Sequence, residues 1–439
     1  MERYAQMRNS GVPGIQSIPE TWGIRVLFQL ADQVKNKNKD LAEQNLLSLS
    51  YGRIKRKDIN SADGLLPESF DGYNIIEAND IVLRLTDLQN DHTSLRVGQS
   101  NERGIITSAY TTLSPTSMVH PRYLYYVLHA YDLIKGFYGM GSGVRQGLNY
   151  DEVKTIKVPF PSLDEQQAIA AYLDDQVSQI DSIIADVQNS IEEYKQWKKS
   201  VISEAVIRGI NQDSRMQDSG IDNLGRIPIT YRIASIRWLL SVLTDYTANG
   251  SFGDLAKNVN YKDSPDYARL VRLTDLRVSF QNEGVYVDKH AYDYLSKSSL
   301  FGGEILLANV GAYAGLALEM PHVDFHATLG PNMFLIKTDN LKWDQHFAYY
   351  SLIGAFSSDQ LKQKANNTTA QPKLNKDNLK SVKVVLPPLT EQHVIAAHLD
   401  DQCETIDSII RVKASLLTDL ESYKRSLIYE AVTGKRKVV

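Results

Sequence analysis

The 439-residue chain carries 48 Lys and Arg against 52 Asp and Glu, and is 43% hydrophobic, 23% charged and 9% aromatic. At roughly 100 to 200 residues per domain this length implies two or three globular domains. A single cysteine, Cys403, excludes an internal disulfide and a Cys-based zinc site and suits a reducing cytoplasm. The N-terminus has no apolar signal-peptide core, and the longest apolar stretch, Ile305 to Leu318, is broken by Asn309, Gly311 and Gly315 and falls short of the ~20 residues needed to cross a bilayer. No membrane role is expected, and the formal charge of −4 excludes a protein that is basic all over while leaving room for a local basic groove.

In chain order, the first segment, 1–156, opens with Ile18-Pro19 and Trp22. It continues through a basic cluster at Arg53, Lys55, Arg56 and Lys57, an apolar strand beginning at Asp80, a β-branched run from Gly104 to Leu113 and a Tyr-rich helix from Pro121 to Leu133. A Gly-containing loop with Arg145 follows, then Leu148-Asn149. These signals alternate without a βαβ rhythm and define an α+β domain.

Residues 157–209 read as a helical spacer. Pro161 stands before it, Asp164 can cap it, and neither Pro nor Gly interrupts it before Gly209. Leu173, Val177, Ile180, Ile184, Val187, Ile191, Tyr194, Lys198, Val201 and Ala205 follow one another at alternating steps of four and three, the seam of a coiled coil. A helix of ~42 residues would span roughly 60 Å.

The stretch Ile210 to Arg226, rich in Gly, Ser, Asp and Asn, is expected to be a linker. A second domain, 210–382, then repeats the order of the first: Ile227-Pro228 and Tyr231, a strand beginning at Glu304, a strand at Met333 to Lys337, a Tyr-rich helix from Asp344 to Phe356, a polar loop and Leu374-Asn375. The last segment, 383–439, repeats the spacer, with Thr390 as its expected cap. Lys157 to Val206 aligns without a gap on Lys383 to Val432, identical at about two dozen of fifty positions. The second seam runs Leu399, Cys403, Ile406, Ile410, Lys413, Leu417, Leu420, Lys424, Leu427, Ala431. The two copies can pair with each other. Polar positions recur as well, notably Asp174-Asp175-Gln176 as Asp400-Asp401-Gln402, and a core does not require that, so a shared docking surface is expected there.

Charge divides along the same lines. Residues 1–160 hold 18 basic and 17 acidic side chains and 210–383 hold 19 and 18, whereas 161–209 hold 4 and 9 and 384–439 hold 7 and 8. The acidity lies on the helices, so a phosphate-binding surface belongs on the domains. Candidate DNA-contacting residues are Arg53, Lys55, Arg56, Lys57, Arg103 and Arg145 in the first domain. In the second they are Lys257 and Arg272, from a group with Lys262 and Arg269, and Lys364, Asn366, Asn367, Gln371 and Lys373 in the loop before the helix. Arg and Lys suit phosphates and guanine edges, Asn and Gln suit adenine edges.

Catalytic signals are weak. Phe137-Tyr138-Gly139-Met140-Gly141 has the spacing of an S-adenosylmethionine loop, but it follows a helical stretch instead of a strand, and no Asn-Pro-Pro-aromatic or Asp-Pro-Pro-aromatic tetrad exists in the chain. His322 and His326 lie on a β-type stretch, which does not present them as i, i+4 ligands, and His393 and His398 are not shared with the first helix. Glu152-Val153-Lys154 resembles the end of a nuclease motif, yet its repeat partner Asn378-Leu379-Lys380 lacks the acid. No catalytic residue and no metal ligand is assigned.

The repeated P-x-L-x-E-Q-x-x-I-A-x-x-L-D run at Pro161 to Asp174 and Pro387 to Asp400, the I-D-x-I-I at Ile180 to Ile184 and Ile406 to Ile410, and the E-A-V ending at Val206 and Val432 resemble the specificity subunit of type I restriction-modification systems. The resemblance covers the whole chain. It implies two target recognition domains, each reading half of a bipartite, asymmetric site on double-stranded DNA, and two conserved helices that form an antiparallel coiled coil with a pseudo-two-fold internal repeat. It further implies docking of two modification subunits, which carry S-adenosylmethionine and methylate adenine N6, and of restriction subunits in the full complex. The chain itself is then a non-catalytic, cytoplasmic protein that binds no cofactor. The competing readings are a scaffold that binds proteins only and a free-standing methyltransferase. One departure between the halves is that Ser50-Tyr51-Gly52-Arg53 stands where the second domain has Leu273-Thr274-Asp275-Leu276.

Overall fold

The computed structural model describes residues 3–59, 69–88, 90–91, 93–140, 147–365 and 371–438. Two compact units emerge, Met1–Gln188 with Ala414–Val439, and Asn189–Lys413. They cut across the four sequence segments, because each unit combines one globular domain with half of each long helix.

Both spacers are single helices, Leu163–Arg208 and Leu389–Val432. Each begins a residue before its expected cap. In the first, Ser162 takes the capping role, its Oγ accepting from the Glu165 N–H at 3.3 Å; Asp164 already lies in the first turn. Thr390 lies in the first turn of the second. Both helices run out at a glycine in the left-handed region, Gly209 (φ +73°) and Gly434 (φ +69°), where a side chain would strain the exit.

The pairing of the helices is antiparallel within each unit. In the first, Lys424 Nζ reaches Asp181 Oδ1 at 2.9 Å, and further along Arg436 donates to the Tyr172 hydroxyl at 3.2 Å. In the second, Lys198 Nζ reaches Asp407 Oδ2 at 2.6 Å and Lys413 lies over the Tyr194 ring. The two Lys–Asp pairs occupy identical positions of the repeat, and their lysines stand at the one seam position that is polar in both copies. Along that seam Leu173, Ile180, Ile184, Val187, Ile191, Leu399, Cys403 and Ile406 are buried, and Val177, Ile410, Leu417 and Leu420 are half-buried.

Each domain is built on the same four-stranded antiparallel sheet. In the first unit the order is Ala31–Gln33, Thr111–Pro115, Ile81–Leu83, Val97–Gln99; in the second it is Leu240–Asp245, Met333–Thr338, Ile305–Ala308, Ala317–Glu319. A two-stranded ribbon closes each domain at the base of its helix, Gly23–Val26 pairing with Lys157–Phe160 and Arg232–Ser235 with Lys383–Leu386. The start of each spacer segment is therefore a strand of the domain before it. The second domain adds a mixed sheet in which Ala268–Val271 runs parallel to His326–Leu329. Part of the expected linker is ordered as a hairpin, Met216–Asp218 with Arg226–Pro228, matching the hairpin Met7–Val12 with Ile15–Pro19 in the first unit. The Tyr-rich helices form at Pro121–Leu133 and Gln345–Ile353, the latter giving way at Gly354 to a second helix, Ala355–Ala365.

Each domain shares one core with its helices. Trp22, Tyr123, Phe137 and Leu124 join Leu173, Ile180 and Leu427 in the first unit, and Trp343, Phe347 and Ile336 join Ile202, Leu399 and Cys403 in the second. Phe137, the first residue of the glycine-rich pattern, is thus a core side chain. The helices are consequently part of the domain folds. Leu173→Ala, at a fully buried position, is expected to cost about 2–5 kcal/mol. Ile183→Ala, on the exposed face of the same helix, should fall within about 0.5 kcal/mol of wild type. Urea unfolding of both variants checks the contrast.

Candidate nucleic-acid interface

The polar residues that recur in the two helices mostly face inward, onto the domains. Gln166 and Gln392 are fully buried; each donates to the proline carbonyl before its helix (Pro161, 3.0 Å; Pro387, 2.9 Å) and accepts from a domain backbone N–H (His120, 2.9 Å; Asp344, 2.8 Å). Glu165 accepts from the Trp22 indole at 3.0 Å and from the Tyr4 hydroxyl, and Glu391 accepts from the Tyr231 hydroxyl at 2.6 Å. Two turns on, Asp174 Oδ1 accepts from Arg122 Nε at 2.6 Å and Tyr126 at 2.7 Å, while Asp400 Oδ1 meets His346 Nε2 at 2.7 Å and Tyr350 at 2.8 Å. The expectation of a docking surface at Asp174 is corrected by these bonds, because this carboxylate is taken up within its own unit. Asp175-Gln176 and Asp401-Gln402 bond only to neighbours on their own helix and keep an exposed face.

The clamps differ in one respect. Arg122 keeps its charge at all accessible pH, whereas His346 is a titrating cation. Its Nδ1 faces Glu319 Oε1 at 3.0 Å and its Nε2 faces Asp400, so both ring nitrogens must donate. The Glu319 hydrogen bond first, then that of Asp400, outweigh the opposing effect of burial and raise its pKa to about 9. A histidine raised above its unfolded value contributes stability in full below its unfolded pKa of about 6.5, and that contribution disappears as pH rises through about 9. His346→Gln is therefore expected to destabilise the second unit at pH 6 and to approach wild type near pH 10, whereas Arg122→Gln destabilises the first unit at both. Thermal unfolding across this range, with an NMR titration of the imidazole, tests both halves of the expectation.

The basic residues singled out in the sequence sort into three kinds. Arg53 to Arg56 form the second strand of a hairpin with Leu47–Ser50, joined through Tyr51 (φ +47°) and Gly52 (φ +76°), the two-residue turn that suits strand twist. Alternation along the strand puts Arg53 and Lys55 on one side, lining a cleft of about 1390 Å³ with Tyr125, His129, Lys424 and Arg425. Arg53 also donates to Asp181 at 2.9 Å. Lys55 and Lys57 are exposed and without an ion pair among the described residues.

The second kind is committed to carboxylates. Arg56 makes a fork to Glu102, and Arg103 pairs with Glu43 at 3.1 Å and with Glu77. Arg272, with Arg269, is fixed on the fully buried Asp275, each at 3.1 Å, and Asn282 donates to the same carboxylate at 2.9 Å. Burial alone would raise the Asp275 pKa, but the bonds from Arg272, Asn282 and Arg269 prevail and hold it below the ordinary range. Arg272 thus has a structural role: removing it leaves a buried anion short of a partner. Lys262 is likewise held by Asp266 and Asp288.

The third kind surrounds the loop before the second long helix. Lys364 lies in the last turn of Ala355–Ala365, Lys373 is exposed and bridges to Val310, and Gln371 is exposed beside it. Lys257 is exposed at the end of the helix Phe252–Asn258. Arg145, Asn366 and Asn367 lie outside the described residues. The departure between the halves is structural, since Leu273–Arg277 is a short helix where the first domain has its hairpin turn. Sequence reasoning missed the aromatic cavity next to Lys373, lined by Tyr246, Phe252 and Tyr261, for which no spacing signal exists.

The other weak signals resolve into local structure. Glu152 closes a capping box with Asn149, and His326 stacks on Tyr267 with ring centroids 4.6 Å apart. Among the described residues no group of three or more His, Cys, Asp and Glu could hold a metal ion, and no helix is long and apolar enough to cross a membrane.

Two units that each seat a basic-edged domain of its own sequence on the same two helices define a modular reader. The family profile described as "Type I restriction modification DNA specificity domain" matches residues 19–193 and 255–417, and the chain belongs to this family. It is 24% identical over 451 residues to the type I restriction enzyme MjaVIII specificity subunit of Methanocaldococcus jannaschii, covering 100% of this chain and 98% of that one. It is 22% identical to the EcoDI specificity subunit of Escherichia coli, covering 89% and 86%. A chain solved in work on the complex assembly and conformational transition of the type I R-M system shares the fold, with a TM-score of 0.68 at 12% identity over 95% of this chain and 99% of that one. The chain is a DNA specificity subunit of a type I restriction-modification system.

Proposed function

We propose that each recognition domain reads one half of a bipartite, asymmetric sequence in double-stranded DNA, that the paired helices set the gap between the halves, and that the chain does no chemistry itself. In this reading two modification subunits dock on the helices and supply S-adenosylmethionine and adenine-N6 methylation, restriction subunits complete the complex, and the assembly works in the cytoplasm. The observation that carries it is the duplication of the framework without duplication of the exposed surface. Seam, Lys–Asp pairs and Glu, Gln and Asp clamps recur at the repeat spacing, while the basic hairpin of one domain is a helix in the other. The recurring Asp175-Gln176 and Asp401-Gln402 remain as faces that two copies of one partner could use.

Co-expression with modification subunits and mapping of methylated adenines tests the reading. A bipartite motif that vanishes when this chain is deleted is the expected result; methylation indifferent to the chain would favour a protein-only scaffold. Inserting residues into the helices should change the gap and leave both half-sites intact, and an unchanged gap would remove the spacing role.

Lysines that touch phosphate have a further signature. Replacing Lys55, Lys57, Lys364 or Lys373 with Ala should weaken binding evenly across sequences, each lowering the slope of log affinity against log salt by about 0.9. Arg272→Ala should instead lower the stability of the second unit, measured by denaturant unfolding, with little change in that slope.

A further inference from the structure

The second unit contains a cavity that the proposed reading does not use. Its volume is about 660 Å³, within the range of ~300–1,000 Å³ that small-molecule sites occupy. Buried Tyr246, Leu255 and Phe334 line it, together with Phe252 and Tyr261, residues that are 80% and 54% exposed at its edge. Lys373, exposed and without an ion pair among the described residues, also lines it.

A comparison inside the chain isolates one more residue. Asn309 lines the cavity, and its Oδ1 is buried with no hydrogen-bond partner. Its backbone does have a role, the carbonyl accepting from Leu374 N–H at 2.8 Å. At the equivalent place in the first domain the carbonyl of Leu85 accepts from Leu148 N–H, also at 2.8 Å, and the Leu85 side chain is buried. The fold therefore works with an apolar residue here. An acceptor left unpaired in the interior is unfavourable, so the amide at position 309 calls for a donor from outside the chain.

We propose that this cavity receives a nucleobase swung out of bound DNA, one bearing an exocyclic amine, namely adenine, cytosine or guanine; the proposal rests on the DNA-reading function. Every base offers two π-faces to the rings of Phe252 and Tyr261. Adenine, cytosine and guanine each present an exocyclic amine N–H to Asn309 Oδ1, and thymine has no such amine. Lys373 stands where the phosphate of the same nucleotide would meet a cation. A purely apolar ligand would leave Asn309 unpaired, and a bare anion would leave the rings unused.

The test uses the chain with its modification subunits and a duplex carrying the mapped site. An abasic residue is placed opposite each adenine, cytosine and guanine in turn, and affinity is measured by fluorescence anisotropy. Removing the pairing partner makes extrusion easier, so binding should tighten about tenfold at one position in the half-site read by the second domain, besides any gain at the methylated adenines. Asn309→Leu, which installs the residue the first domain carries, should abolish that gain and leave the gains at the methylated adenines; Phe252→Ala should do the same. Gains confined to the methylated adenines, or unaffected by Asn309→Leu, would overturn the proposal. So would tight binding of free dAMP, dCMP or dGMP in equilibrium dialysis with no position-specific gain on the duplex, which would make the cavity a nucleotide site. If the intact duplex did not bind at all, the DNA-reading function itself would fall, and the proposal with it.

Discussion

The recurring Asp and Gln of the long helices fix most of what surrounds them. A recognition domain has to project loops of free sequence while staying in one orientation, and here three side chains on the first turns of a helix do this work. The buried glutamine satisfies both a helix-entry carbonyl and a domain N–H, the glutamate takes an aromatic donor, and the aspartate takes a cation and a tyrosine from the Tyr-rich helix. The glutamine bonds are buried, so their loss leaves an unsatisfied group, whereas the Arg122–Asp174 pair is charge-assisted and half-exposed. The closing ribbon, strand 23–26 on 157–160 or 232–235 on 383–386, then ties the domain to the backbone that enters the helix.

The helix pair obeys a related rule. An uninterrupted apolar seam tolerates slippage by a heptad, and a polar residue in the seam removes that freedom at some cost in stability. Lys198 and Lys424 occupy seam positions and each finds an aspartate of the opposing helix within its own unit. Because the two pairs are copies of one another, any change in one helix that served register would be felt in both places. This explains why identity is concentrated in the helices and faint in the domains.

Legibility from sequence follows the same division. The seam could be read because periodicity and repetition agree, and all of its apolar members are buried or half-buried. The Asp and Gln positions were visible as constrained, but repetition reveals that a residue is held without revealing what holds it, and the partners of Asp174 lie about fifty positions away. Basic clusters were the least legible. Arg56 and Arg103 reach glutamates from distant segments, and Arg272 reaches a buried Asp275 three residues on, so local charge density overstated the free cation count. Nothing in the sequence marks Arg96, wholly buried and donating to four backbone carbonyls and a tyrosine. The linker hairpin was hidden by its polar composition, which suits an exposed two-stranded ribbon as well as a coil.

A chain that contains its fold twice supplies its own control. Where both domains carry the same residue type in the same role, as at Gln166 and Gln392, the framework demands it. Where the backbone role is shared and the side chain is not, the difference belongs to the individual domain. Arg122 and His346 show the mild form: either cation closes the clamp, so the position requires positive charge and not a particular residue. Leu85 and Asn309 show the stronger form, since one side chain completes an apolar core and the other places an unpaired amide beside an aromatic cavity. Differences of the second kind alter what a domain presents without disturbing the clamps or the seam. That separation lets a reading surface change its target while the clamps and the seam stay fixed, because the two sets of residues share no side chain.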